Sequence, residues 1–534
     1  MTVQSNETGV DLNNTDSLKE VNKKNSVNYN EPADFEKAIS ATKWGKFNIL
    51  LYIIAIPAGW SSIFETTTMS YVFPAAQCDL DLTLENKGFL NSVTYLGMIS
   101  SAFIWGFLCD TLGRKKLLCI GLLLDSFFVL MTGLSQNYTT VVIGKFLGGF
   151  IINGPFAALT CYVSEFHCAH HRARVQMVLG IIFSCGTVVL PLLAWGILTL
   201  GFDFTLGESF KIHSWNIYLF ICAVPALISG VCFMFMPETP KFLMTTGNNQ
   251  KALEIFQKVY SLNTGKPMDT YPVKLLVDEV STADSTKTAQ DVQDRSKSQV
   301  LKDGFTQLAP LFSAPYLCKI LLVCSMQFLF MMSLNTLRLW LPQLFQAIND
   351  YQTSHNGGTS SLCEMIESLR PSNVTVIEKC EVNLDNFQVY INSMVVAFTN
   401  VLGYVVVGTL INILGKKRIL NIFAIIGGLM GISLYFAQNV TTTLLLAALY
   451  TTFASVCVNI MLAVVVDLFP TTLRTMCVSL TMMTGRMGPM IGNLVFPYLL
   501  ASGCESPFFF VGCVLICCAF LSCVLPNTDL KSLK

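Results

Sequence analysis

Long apolar runs separated by short polar breaks dominate the chain. A helix that crosses a bilayer needs about 20 predominantly apolar residues. Twelve such runs occur, at 47–75, 88–108, 116–135, 140–164, 175–199, 215–236, 315–345, 387–411, 418–437, 442–467, 475–500 and 507–525. We number them spans one to twelve. Pro and Gly interrupt many of them, which membrane helices tolerate when neighbours satisfy the freed backbone groups. The pattern predicts an all-α polytopic membrane protein with one six-helix bundle over 47–236 and another over 315–525. The polar remainder divides into a tail at 1–46, expected to be disordered, a linker at 237–314 with short amphipathic helices, an outer loop at 346–386 and a short tail at 526–534. In the linker, Asn248 to Gly265 reads as an amphipathic helix with Leu253, Phe256, Val259 and Tyr260 on one face. No apolar core occurs in the first 40 residues, so span one is expected to act as its own insertion signal.

Charge sharpens this picture. Only 13% of the 534 residues are charged, about half the share in an ordinary soluble protein. Blocks 1–46, 237–314 and 346–386 hold 39 of the 68 charges. That distribution excludes a nucleic-acid binder, a disordered protein and a secreted disulfide scaffold. Basic residues mark one side of the membrane: Lys43 and Lys46, Arg114-Lys115-Lys116, Arg172 and Arg174, Lys416-Lys417-Arg418, and Arg474. The positive-inside rule makes that side, both termini and the linker cytosolic. Sequons at Asn137, Asn373 and Asn439 then face outward, and Asn373 and Asn137 are the glycosylation candidates.

An internal repeat underlies the pattern. At an offset of 302, Gly106 maps to Gly408, Gly113 to Gly415, Arg114-Lys115-Lys116 to Lys416-Lys417-Arg418, Asn137 to Asn439, Glu165 to Asp467, Arg172 to Arg474 and Gly186 to Gly488. The first spans of the halves obey an offset of 268, as Pro74 and Pro342 show. The two halves are therefore parallel repeats of six spans, with the outer loop as an addition.

Gly106-Phe-Leu-Cys-Asp110-Thr-Leu-Gly113-Arg114-Lys115-Lys116 resembles the signature loop between spans two and three of the major facilitator superfamily. Pro237-Glu238-Thr239-Pro240-Lys241 resembles the motif after span six in sugar porters and organic ion transporters. The stretch Ser70–Gly88, with Tyr95-Leu-Gly97-Met98 and Trp105-Gly106, is similar to the synaptic vesicle glycoprotein 2-like branch, near the organic cation transporter-like group. The resemblance covers about residues 44–526. It implies a major facilitator fold of 12 transmembrane helices in a vesicle or plasma membrane. It also implies a gate on the cytosolic side formed by Gly106, Asp110, Gly113, Arg114, Lys115, Glu165, Arg172, Asp467 and Arg474. The acid-x6-basic spacings Glu165 to Arg172 and Asp467 to Arg474 are the pairs expected to close it; helix-end capping is the rival reading. Lys145 stands where many members carry Arg, and Asn412 replaces the acid of the second loop.

Glu65, Asp125, Arg338 and Arg486 lie deep in spans, where a charge costs several kcal/mol and points to function. Glu65, Asn153, Asn335, Arg338, Trp340, Asn459 and Arg486 are the substrate-binding candidates. Glu65 and Arg338 could instead bridge to each other, each Asn could join helices, and Asp125 could be a structural partner. Asn91, Tyr95 and Tyr390 are further cavity candidates. Two Arg against one Glu favour an anionic or zwitterionic solute over a simple cation. Cys363 and Cys380 flank Asn373 and are expected to form a disulfide, with Cys78 and Cys504 as competitors.

No metal spacing, nucleotide loop or catalytic triad stands out, so neither a cofactor nor enzymatic activity is expected. The expected activity is secondary transport of a small charged organic solute by alternating access, with a proton or sodium as coupling ion, in a lipid bilayer and as a monomer. The alternative is a vesicle membrane protein that binds or regulates without transporting.

Overall fold

The computed structural model describes residues 32–206, 210–277, 313–314, 316–355, 360–369, 387–469 and 471–526. The side chains of Asp110, Asn412 and Arg474 are outside that description. Eleven described helices are long and apolar enough to cross a membrane. Span eleven, Thr471–Ser502, is a twelfth long helix with a more polar composition that includes Arg486. The basic clusters mark one end of the bundle, here the basic end; Asn137 and Asn439 mark the opposite, sequon end.

Local chemistry sets the span boundaries. Asn137 caps span four (Tyr138–Glu165), its Oδ1 accepting from Thr140 N at 2.9 Å. Asn439 does the same for span ten (Val440–Leu468), accepting from Thr442 N at 2.7 Å. Thr83 caps span two (Leu84–Leu112). Such caps satisfy amides that the helix leaves unpaired. Span two ends at Gly113 with φ +89°, and span eight (Phe387–Leu414) ends at Gly415 with φ +82°. Glycine occupies this region without the steric penalty other residues meet.

The repeat is visible in the packing. Span one (Lys46–Ala76) packs on span five (Ala169–Leu198), and span seven (Leu317–Ser354) on span eleven. Spans two and four correspond to eight and ten. Span three (Arg114–Gly133) packs on span six (Ser214–Phe235), as span nine (Lys416–Ser433) does on span twelve (Glu505–Val524). A Cβ on Gly186 would stand 3.0 Å from Trp60, and one on Gly488 would strike Phe328 O at 2.3 Å. Those partners obey the two offsets read from the sequence.

The halves meet where span two packs on eleven, five on eight and one on seven. At the sequon end these contacts are close. Ser92 Oγ donates to Met490 O at 2.9 Å, and Gly88 lies against Asn493 and Pro497. Trp195 and Phe387 rings are 5.2 Å apart.

Three elements differ from expectation. The tail at 1–46 is helical over Phe35–Ala41, because Phe35, Ala38 and Ile39 present one apolar face to Met244, Phe256 and Tyr260 of the linker. The loop between spans five and six forms a hairpin, β1 (Asp203–Leu206) with β2 (Phe210–His213), tied down by His213 Nδ1 to Asp79 at 2.7 Å. Span seven continues past 345 to Ser354, supported by Gln346 donating to Asp350 at 2.9 Å. As the sequence implied, Asn249–Thr264 is amphipathic and buries Phe256, Val259 and Tyr260.

Candidate functional site: a polar centre between two half-bundles

Span one carries Glu65 inward, and span four presents Lys145 to it. Lys145 Nζ lies 2.7 Å from Glu65 Oε1 and donates to Glu65 O at 2.7 Å. Asp125 of span three is within electrostatic reach of both. All three side chains are buried. A Cβ on Gly148 would approach Glu65 Oε1 to 2.4 Å, so glycine makes the space for this carboxylate. Glu65 therefore does not bridge to Arg338; the nearer cation within its own half takes it.

Arg338 and Arg486 sit midway along spans seven and eleven and are partly accessible. Arg486 donates to Asn153 Oδ1 across the half-to-half boundary. Asn153 in turn donates to Met98 O at 3.0 Å, which fixes its oxygen toward Arg486. The Arg486 guanidinium also lies 5.9 Å from the centre of the Phe156 ring, within cation–π range. Tyr95 of span two lies within electrostatic reach of both Arg338 and Arg486. Asn459 donates to Tyr404 at 2.8 Å, and Tyr404 is within reach of Arg338. Asn153, Arg338, Asn459 and Arg486 thus share one polar centre with Tyr95, Phe156 and Tyr404.

Two candidates lie elsewhere. Trp340 is fully buried and stacks on Phe496 at 4.5 Å, so it is neither a cavity wall nor an interfacial anchor. Helical periodicity explains this: two residues beyond Arg338, the side chain points away from the guanidinium. Asn335 donates to Met331 O of its own helix at 3.0 Å, and the structure shows no hydrogen bond from it to the central cluster. Asn91 and Tyr390 are buried, Tyr390 within the core around span one.

At the basic end, Glu165 pairs with Arg114 at 3.3 Å and Asp467 pairs with Lys416. Both partners obey the 302 offset, so the repeat conserves the pair itself. The expected Glu165–Arg172 pairing is absent because Glu36 of the tail helix takes Arg172. Glu238 of the Pro-Glu-Thr-Pro motif accepts from Lys115 N at 3.0 Å, and Arg114 lies over the Phe242 ring. Gly113 leaves room for that carboxylate, since a Cβ there would meet Glu238 Oε2 at 2.5 Å. Gly106 faces open space. These ion pairs join residues within one half.

At the sequon end, Cys363 bonds to Cys504, not to Cys380. The short helix Leu362–Met365 docks on the turn after span nine, Leu362 N donating to Ala437 O at 2.9 Å, and this brings Cys363 to the turn before span twelve. Cys78 is also disulfide-bonded. Cys380 and the Asn373 sequon lie outside the described residues. Sequence reading passed over Lys87, which is buried and donates to Gln77 at 2.9 Å and to Gln343 at 3.2 Å. Its place one turn inside a capped helix was a usable signal.

Two six-helix halves around a polar centre define the class as a polytopic membrane protein built from a parallel repeat. The family model of the Major Facilitator Superfamily matches residues 55–369 and 372–533, and the chain belongs to that family. It falls with the synaptic vesicle glycoprotein 2-like branch. It is 28% identical to Synaptic vesicle glycoprotein 2B of Rattus norvegicus over 326 residues, 59% of this chain and 48% of that protein. It is 30% identical to Synaptic vesicle glycoprotein 2A of Pongo abelii over 230 residues, 43% of this chain and 31% of that protein. The chain spans about half the length of the curated relatives it matches. A D-xylose-proton symporter has the same fold, with TM-score 0.62 at 15% identity, covering 91% of this chain and 99% of that one. An inward open xylose transporter from E. coli matches equally, covering 91% and 98%.

Proposed function

We propose that the protein is a secondary carrier that moves a small charged organic solute by alternating access. The observation that carries this reading is the polar centre itself. Arg486 and Asn153 meet across the two halves, and Arg338 meets Tyr95 across the same boundary. A solute bound there would touch both bundles, so rocking one against the other would expose it to either side. The close contacts at the sequon end fit a state that opens toward the basic end, which the charge asymmetry makes cytosolic. Both termini are then cytosolic, and the relatives' names favour a vesicle membrane.

Glu65, Lys145 and Asp125 supply a coupling site. One ammonium can neutralise one carboxylate, so the second carboxyl can hold a proton; this favours a proton over sodium. The pairs Arg114–Glu165 and Lys416–Asp467 each brace the basic end of one half, so that each half moves as a unit. The non-transporting alternative drew on Lys145 as a degenerate position, yet Lys145 makes a close ion pair with the span-one acid.

Uptake of labelled organic acids, organic cations and sugars into proteoliposomes tests this reading. The proposal expects accumulation of at least one solute, abolished in Arg486→Ala. Accumulation unaffected by Arg486→Ala would remove the site from this account.

A further inference from the structure

We infer that the path between the halves is lined by cations without carboxylate partners and that its solute is a small organic anion, met first by Lys87 near the sequon end and then by Arg338 and Arg486 at the centre. This rests on the carrier reading above and goes further by fixing the sign of the charge and adding a subsite.

The charge balance of the path supports it. The carboxylates at mid-span depth, Glu65 and Asp125, are gathered around Lys145 inside the first half. They are not available to the central guanidinium groups. Among the described residues neither Arg338 nor Arg486 forms an ion pair. Arg486 is met by an amide oxygen and a ring face, and Arg338 by a phenol, with its buried Nε lacking a hydrogen-bond partner. Lys87 repeats the arrangement, a buried ammonium held by two neutral amide oxygens from spans one and seven.

Three cations solvated only by neutral groups are costly in a low-dielectric interior. An anion relieves that cost at each in turn, whereas a cation would raise it. The spacing also suits a passage. Gln343, which holds Lys87, stands five residues beyond Arg338 on the same helix, about 7.5 Å along its axis. An anion that pairs with Lys87 displaces Gln343 and Gln77, which loosens a contact between the halves as it enters. Phe156 and Tyr404 offer apolar surface for the organic part of the solute.

The test measures thermal stabilisation and proteoliposome uptake with benzoate, succinate and glycerol phosphate, against choline and D-xylose. A bound ligand raises apparent stability by mass action. The inference expects at least one anion to stabilise and accumulate, with apparent affinity weakened about tenfold or more in Arg486→Gln and Arg338→Gln. Arg486→Lys, which keeps the charge, should recover part of the loss; this separates an electrostatic role from a merely structural one. Lys87→Gln should lower uptake of the anion below saturation, most at low ionic strength, where attraction is least screened. Uptake of choline or xylose with no response to any anion would overturn the anion assignment and leave the carrier reading intact. Well-folded protein that binds and moves none of the five would overturn both.

Discussion

Lys145 holds two carboxyl groups in check. With Lys145→Met, Glu65 and Asp125 would share a buried space without a cation. Removing one partner of a buried pair costs about 3–5 kcal/mol. We expect a lower melting temperature in detergent for Lys145→Met and a near-normal one for the double variant Lys145→Met with Glu65→Gln. Equal melting of Lys145→Met and the parent protein would contradict the pairing. The sequence showed that Glu65 and Asp125 were deep and that Lys145 stood where many members carry Arg, but not that the three were together. Their separations of 60, 20 and 80 residues carry no periodicity that links them, and only the packing of spans one, three and four brings them within electrostatic reach of one another. Trp340 shows the converse: proximity to Arg338 in sequence placed it beside the site, and the turn of the helix placed it in the core.

Among the elements, the turn between spans four and five is the most tightly specified at the basic end. His167 Nδ1 donates to Val163 O at 2.8 Å, which leaves Nε2 to accept from Asn48 at 3.2 Å and Tyr52 at 3.3 Å. That network assigns the neutral tautomer. Burial pushes the imidazole below its usual pKa, against the Val163 carbonyl, and His171 lowers it further. Protonation would turn Nε2 into a donor facing the Asn48 amide donor, and the Tyr52 hydroxyl would have to turn round to accept. Because the folded pKa is depressed, the contribution to stability is complete above the unfolded pKa of about 6.5 and is lost as pH falls through the folded value. Melting temperature should therefore fall on acidification from neutral pH, with a shallower fall in His167→Gln. Parallel curves for the two would contradict the assignment. Asn263 extends the same lock, bonding Lys43 O at 2.8 Å and Asn48 at 3.0 Å from the end of the linker helix. The linker helix was legible from its apolar face and its Gly265 stop. The tail helix was not, because so short a helix forms only where a partner surface covers it.

At the scale of the molecule, the spans and the parallel repeat were legible because membrane thickness fixes helix length and because duplicated turns keep their residues in register. Contacts between the halves left no such trace. Ser92 with Met490 and Lys87 with Gln343 join residues whose spacing follows neither offset, since they come from docking two bundles rather than from the pattern inside one. Cys363 with Cys504 was a competitor, not the expected pair, for the same reason: sequence proximity favoured Cys380, and the docked helix Leu362–Met365 decided otherwise.

Alternating access requires the sequon-end seal to open as a rigid-body motion of one half against the other. The most direct measurement places noncanonical amino-acid spin labels at exposed Gln136 of the first half and Thr441 of the second and records their distance distribution in liposomes. The account predicts two distance populations whose ratio shifts when Gln343→Glu gives Lys87 a carboxylate partner, with the shorter distance gaining. A single distance, identical in the parent protein and in Gln343→Glu, would contradict it.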